Sequence, residues 1–264
     1  MRYAKKSLGQ NFLKDNNIIK KILSLAEIKN RNIIEIGPGT GALTYEILLR
    51  KPKSLTVIEK DNILAAGLRK KFSKNKNIKI INSDVLKLNF NTINIENYNI
   101  FGNLPYNISS QILIKILKVK KWPPLFKNII FMFQKELGEK IISKFPSKSY
   151  GRISILTNYR LNILKKFLVS ANCFFPKPKV NSMIIHFQPK KLVSNKIKRI
   201  DNLEHITRIL FSNKRKMIKK NIQKILINED LKKIKDLNFN YRPENISPEL
   251  YYRITELYEE KLYS

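Results

Sequence analysis

One cysteine, Cys173, occurs in the whole chain. It excludes an internal disulfide framework and any zinc site built on cysteines, and it suits a reducing compartment. There are only two histidines, His186 and His205, and nothing motif-like surrounds either, so both are expected to be structural or solvated. With no ligand cluster left, no metal is expected. No run of 18 apolar residues exists, which excludes a membrane-spanning helix. The first ten residues are basic and lack an apolar stretch, so no secretory signal is expected and the protein is placed in the cytoplasm. Internal repeats and low-complexity tails are absent too.

Negative charge is scarce: 20 acidic residues stand against 52 basic ones, a net of +32. A field of that size suits a polyanionic partner. Abundant Lys, Ile and Asn also fit an AT-rich coding bias, so part of the excess carries no function. The charge is uneven, with 35 basic and 10 acidic residues in 1–190 against 17 and 10 in 191–264. Apolar residues make up 43% of the 264, enough for a globular fold with one large domain and a small appendage.

Apolar positions recur at helical spacing over 16–28, behind an N-cap at Asp15 or Asn16. Short buried strands are expected at 32–37, 54–59, 78–82, 98–103 and 127–133, with helices at 41–50, 61–73 and 108–118 between them. This alternation predicts a parallel, doubly wound sheet. A long strand is expected at 180–188, and Pro189 with the polar stretch 190–196 marks a boundary. Beyond it the pattern is helical, with candidates near 202–211, 214–227 and 248–259.

Glu35-Ile36-Gly37-Pro38-Gly39-Thr40-Gly41 follows a strand and opens a helix, the setting in which glycines let backbone approach a ligand. Glu59 ends the next strand, where a carboxylate accepts both ribose hydroxyls of a nucleoside. Gly37, Gly39 and Ala42 also satisfy the dinucleotide pattern, so a nicotinamide or flavin cofactor, or a glycine turn with no ligand, stays open here. Asp84 stands just after the third strand, either to accept a hydrogen bond from a cofactor's adenine amine or simply to cap a turn.

The decisive element is Asn103-Leu104-Pro105-Tyr106 after the fourth strand. In that order the motifs resemble class I methyltransferases that modify adenine N6. Phe101–Ser109 as a whole, Ser7–Leu13, Phe133–Glu136, Tyr150–Arg152, Phe174–Ser182, Phe211–Lys216 and Arg242–Ser247 are similar to the ribosomal RNA adenine N6-dimethyltransferase family over nearly the whole chain. The resemblance implies a Rossmann-like α/β methyltransferase domain over 1–190, which binds S-adenosylmethionine. A small α-helical RNA-binding domain over 191–264 would follow it. It implies dimethylation of two adjacent adenosines in the 3′-terminal hairpin of small-subunit ribosomal RNA, with a role in small-subunit biogenesis, by a monomer that meets the immature subunit and no membrane. By the same resemblance Asn11, Leu13, Gly37, Gly39, Glu59, Asp84 and Asn103 contact the cofactor, with Gln10 a possible addition. Asn103, Leu104, Pro105, Tyr106 and Phe174 would handle the target base, the Phe174 ring covering its second face, and the Lys-rich segments 213–216 and 219–220 would hold phosphates.

The chemistry agrees with that assignment. The lone pair of the adenine amine is delocalised into the ring, so the nitrogen is a poor nucleophile and orientation matters more than a base. The Asn103 amide oxygen and the Leu104 carbonyl can accept its two N–H bonds, Pro105 stiffens the turn, and Tyr106 offers a face to a base swung out of its stack. Three rival functions remain: a large-subunit adenine methyltransferase of the antibiotic-resistance type, an assembly factor whose RNA binding matters more than catalysis, and an oxidoreductase using the glycine turn for NAD.

Overall fold

The computed structural model describes residues 10–191, 197–234 and 236–263. The chain divides into two compact units. The first holds the described residues up to Gly138 together with Leu161–Pro189, and the second holds Glu139–Arg160 and the described residues from Lys190 onward. A break near 190 stands in the sequence as a proline and a polar stretch; the excursion 139–160 into the second unit does not.

The first unit opens with β1 (Phe12–Leu13) and α1 (Asn16–Leu23). Asp15 caps α1, its carboxylate accepting from the backbone N–H groups of Asn17 and Ile18 at 2.9 and 3.0 Å. Then come β2 (Asn32–Ile36), α2 (Ala42–Leu49), β3 (Ser54–Glu59), α3 (Asn62–Lys71) and β4 (Ile78–Asn82). They are followed by β5 (Tyr98–Asn103), α4 (Ser109–Leu117), β6 (Phe126–Gln134) and α5 (Lys135–Ile142), the last of which runs across the boundary between the units. After α6 (Arg152–Arg160) in the second unit, the chain returns with β7 (Leu161–Val169), β8 (Phe174–Phe175) and β9 (Ser182–Pro189).

Seven strands form one sheet in the order β4-β3-β2-β5-β6-β9-β7, and β1 pairs with β8 in a two-stranded ribbon. The first five neighbours run parallel, as the alternating pattern predicts, while β9 is antiparallel to both β6 and β7. The fold is thus a doubly wound α/β sheet, mixed at one edge, as the resemblance implies. Ile33, Ile36, Val57, Ile100, Phe101, Ile129 and Phe131 are almost wholly buried in it. Such two-sided burial is why these strands read as continuous apolar runs. One polar ladder crosses the sheet. His186 Nε2 donates to Asn128 Oδ1, Asn128 Nδ2 to Asn99 Oδ1 and Asn99 Nδ2 to the Glu27 carbonyl, each at 2.8 Å. His186 is therefore a core residue, and burial lowers its pKa so that it stays neutral.

β2 and β5 are neighbours, and the connection from β2 runs one way along the sheet to β3 while that from β5 runs the other way to β6. At that reversal the loops after β2 and β5 separate, leaving a crevice at the carboxyl ends of the strands where ligands of such sheets bind.

The second unit contains α6 and four later helices, α7 (Ile200–Leu210), α8 (Lys219–Ile222), α9 (Asn228–Lys232) and α10 (Pro248–Leu262). The buried Glu59 has a counterpart here in Glu259, 2% exposed, which accepts from the Lys198 and Arg199 backbone N–H groups and from Asn202 Nδ2, satisfying the amino end of α7. The helix expected over 214–227 is not formed as such: only the single turn α8 is helical, next to a 3-10 turn at Phe211–Asn213. Arg215 with Lys219 and Lys216 with Lys220 would stack like charges at i,i+4 along a continuous helix, and all four side chains are exposed instead. Among the described residues no helix is long and apolar enough to cross a membrane.

Candidate active site

The crevice is lined from five strands. Gln10, Asn11, Phe12 and Leu13 come from β1 and the residues before it, Glu35 to Leu43 from β2 and its glycine turn, Glu59 and Lys60 from β3, Ser83 and Asp84 from β4, and Asn103 to Ile108 from β5. Asn11, Leu13, Gly37, Gly39, Glu59, Asp84, Asn103, Leu104, Pro105 and Tyr106 therefore share one cavity wall. Ser7–Gly9, the start of the first sequence motif, lie outside the described residues.

The glycine turn needs its glycines. Gly37, Gly39 and Gly41 have φ of +68°, +59° and +79°, the left-handed region that side chains disfavour. A Cβ on Gly37 would sit 3.5 Å from the Asn103 carbonyl oxygen and 3.6 Å from Pro105 Cδ, so the turn and the Asn103–Tyr106 segment are in van der Waals reach of each other. The distance decides a great deal, because a methyl donor held on the turn and an amine held by Asn103 would meet.

Glu59 works on two backbone segments at once. Its Oε2 accepts from Gly39 N–H at 3.1 Å and its Oε1 from Asp61 N–H at 2.9 Å, while the side chain stays 7% exposed. Burial raises its pKa and those two N–H groups oppose the rise. Asp84 is held differently. Its Oδ1 accepts from Leu86 N–H at 2.9 Å, so it does cap the turn that follows, and its Oδ2 is 2.8 Å from the ammonium of Lys60. The Lys60 bond is the main reason its pKa is lowered. Lys60 was not singled out from the sequence; its one signal is its place directly after Glu59.

Glu35 lies at the floor of the crevice, 1% exposed, and its Oε2 has no hydrogen-bond partner among the described residues. Burial pushes its pKa to about 8, with the charge of Glu59 adding to the rise and Thr44 opposing it. At neutral pH it holds its proton. The linkage sign is then fixed, since the folded state keeps a proton that the unfolded chain releases near 4.5, the ordinary value. Stability should fall as pH rises between about 4.5 and 8. Glu35→Gln mimics the protonated side chain, so its denaturant midpoint should change less than that of the unmodified protein across this window. Equal pH profiles for the two proteins would show that Glu35 is ionised throughout.

Asn103 is oriented from behind. Its Nδ2 donates to the Asn11 carbonyl at 3.0 Å, which fixes the amide plane and leaves Oδ1 as the end that accepts. Tyr106 Oη is 2.6 Å from Ser182 Oγ at the start of β9; burial raises its pKa and the serine opposes that rise, so it remains a neutral phenol.

Phe174 does not join this group. Only 1% exposed, it packs in the apolar core with Leu13, Ile19, Ile22 and Val169, opposite Leu13 in the β1–β8 ribbon. A ring with no accessible face cannot cover a base, so the placement expected for Phe174 is not the one observed. Strand alternation puts its neighbour Phe175 on the other side, 44% exposed.

Chemically, the crevice favours a nucleoside that carries donor groups and no phosphate. Glu35, Glu59 and Asp84 all line it, and the Gly39 N–H that a pyrophosphate would need already serves Glu59. A dinucleotide would bring two phosphate charges against the carboxylates of Glu59 and Asp84, whereas a sulfonium nucleoside brings hydroxyls, amines and positive charge. Among the described residues no group of three or more His, Cys, Asp or Glu is gathered as a metal site would require.

A family model described as ribosomal RNA adenine dimethylase matches residues 1–260. The chain belongs to the ribosomal RNA adenine dimethylase family. Ribosomal RNA small subunit methyltransferase A of Pelagibacter ubique is 44% identical over 97% of each chain. A crystal structure of a dimethyladenosine transferase from Plasmodium falciparum superposes with a TM-score of 0.74 at 25% identity, covering 95% of this chain and 98% of that one. The 23S rRNA methyltransferase ErmE shares the fold, with a TM-score of 0.68 at 24% identity over 94% and 99%. Membership of the dimethylase family removes the oxidoreductase reading of the glycine turn.

Proposed function

We propose that this dimethylase acts on small-subunit ribosomal RNA, converting two adjacent adenosines of its 3′-terminal hairpin to N6,N6-dimethyladenosine during subunit assembly. The observation that carries the reading is the join of Asn103–Tyr106 to the glycine turn at Gly37, backed by the 44% identity to a relative named for the small subunit. S-adenosylmethionine supplies the electrophilic methyl group. Its ribose hydroxyls suit Glu59, its adenine amine suits Asp84, and Gly37, Gly39, Asn11 and Leu13 complete the wall. The unpartnered Glu35 Oε2 and the acceptor-rich floor are what such a donor-rich cofactor fits.

The residues of the turn then handle the base. Asn103 Oδ1 and the Leu104 carbonyl accept the two amine hydrogens, so the nitrogen lone pair is turned toward the methyl carbon. Tyr106 is neutral and braced by Ser182, which suits a stacking face and not a general base. After the first transfer one N–H remains to be accepted, and the same pair of acceptors serves the second. In the second unit the cations Lys214, Arg215, Lys216, Lys219 and Lys220 would hold RNA phosphates, and their exposure supports that reading. Work in a reducing cytoplasm agrees with the free Cys173.

Purified protein, labelled S-adenosylmethionine and isolated undermethylated small and large subunits test the proposal. Two dimethylated adenosines in the small subunit RNA, located by mass spectrometry, are expected. Label confined to the large subunit would transfer the assignment to the ErmE-like activity. If cells carrying Glu59→Ala assemble subunits normally while the modification vanishes, the binding role stands apart from catalysis.

A further inference from the structure

The loop 175–181 between β8 and β9 is tied to the active site at both ends. At its start Phe175 pairs with Phe12 in the β1–β8 ribbon, and Phe12 packs so closely on the glycine turn that a Cβ on Gly39 would meet its ring at 2.7 Å. At its end Ser182 holds Tyr106 at 2.6 Å. Asn181 fixes the approach, its carbonyl accepting from Lys135 N–H at 2.9 Å and its Oδ1 from Ala171 N–H at 3.0 Å. Within this anchored span Phe174 is sunk in the core and Phe175 is 44% exposed, with Lys177 and Lys179 exposed two and four residues on.

An aromatic ring presented to water beside two ammonium groups has the chemistry of a single-stranded nucleotide site: the ring face takes a base and the cations take phosphates. The Asn103–Tyr106 turn holds one adenosine, and the nucleotide next to it in the chain must lie within one backbone repeat of the rim. We propose that Phe175, with Lys177 and Lys179, forms a second base subsite that stacks the nucleotide adjacent to the adenosine being methylated. This rests on the small-subunit reading above and adds a reason for a tandem target. While one adenosine is in the turn its neighbour is parked on Phe175, and the two exchange places between rounds.

The test compares the unmodified protein, Phe175→Ala and Phe175→Trp on two substrates. These are undermethylated small subunits and a synthetic RNA hairpin carrying the two adjacent adenosines, intact or abasic at the neighbouring position. Phe175→Ala should raise KM for subunits and Kd for the intact hairpin by about tenfold, the loss of one base–aromatic stack. Its kcat and its affinity for S-adenosylmethionine should stay near those of the unmodified protein, and Phe175→Trp should restore binding. On the abasic hairpin Phe175→Ala should cost nothing further. Unchanged binding by Phe175→Ala, a fall in kcat alone, or losses from the variant and the abasic site that simply multiply would each overturn the subsite. If the unmodified protein methylates no adenosine in small-subunit RNA, the underlying reading fails first and the subsite goes with it.

Discussion

Asn103→Ala should lower kcat for methyl transfer at least about a thousandfold while leaving the affinity for S-adenosylmethionine within a few-fold, since orientation of bound reactants is worth far more than one side-chain contact. The adenine amine donates its lone pair into the ring, and attack on the methyl carbon requires that conjugation to break. Two acceptors on the amine hydrogens favour the broken form and point the lone pair; a base would find no acidic proton until the methyl has arrived. The structure supports the premise in one respect that the sequence could not. Asn103 is not a free amide but one pinned by the Asn11 carbonyl at 3.0 Å, so its acceptor end is preset before any base enters. Asn103→Asp retains an acceptor but removes the donor to Asn11 and adds charge, and should recover only part of the loss. Single-turnover transfer at saturating cofactor, with calorimetric titration of S-adenosylmethionine, separates the two quantities. A kcat within tenfold of the unmodified protein would mean that the carbonyl of Leu104 alone positions the amine.

The inner strands of the parallel half were legible because both their faces are covered, and β4, at one edge with Lys79 exposed, because its three isoleucines stand in a short run between polar residues. Ser54–Glu59, Ile78–Asn82 and Tyr98–Asn103 are short apolar runs that stop at polar or glycine residues, and the observed ends are the expected ones. β7 was not legible. It lies at the other edge, its middle residues Leu164, Lys165 and Lys166 are exposed, and a bulge between Ile163 and Lys165 breaks the alternation that would have marked it. The helices α5 and α6 escaped for another reason: Pro146 and the polar residues 147–149 fall inside 139–160 and not at its ends, and its membership of the second unit depends on partners far along the chain, such as Tyr252, whose ring lies 4.9 Å from that of Tyr159.

The site was legible wherever function demands a particular backbone. Gly37 and Gly39 with left-handed φ, an acid at a strand end and a proline-stiffened turn leave marks in sequence, and all of them line one crevice. What sequence withheld depends on which way a side chain faces. Phe174 and Phe175 are identical in type and adjacent, and only the pairing of β8 with β1 decides that the first is core and the second is surface. The Lys60–Asp84 pair and the proton on Glu35 likewise arise from tertiary neighbours, and no local pattern announces them.

Gly39→Ala brings these strands of argument to one residue. At φ +59° an alanine pays roughly 1–2 kcal/mol for the left-handed conformation. Its Cβ would also sit 2.7 and 2.8 Å from two carbons of the Phe12 ring, closer than side chains approach. The ring must swing away, and it is both a wall of the cofactor crevice and the partner of Phe175 across the ribbon. The Gly39 N–H that anchors Glu59 at 3.1 Å shifts with it, so the carboxylate proposed above to accept the ribose hydroxyls loses its support. Affinity for S-adenosylmethionine should fall by about tenfold to a hundredfold, consistent with 1.4 kcal/mol per decade, and the denaturant midpoint should drop as well. At saturating cofactor kcat should suffer less, because Asn103 is held by Asn11 and not by Gly39. Gly67→Ala is the matched control. It lies inside α3 with open space where a Cβ would go, so alanine there should be neutral or stabilise by about 0.5–1 kcal/mol. Equal cofactor affinity in the two alanine variants would show that the left-handed turn at Gly39 is dispensable for binding.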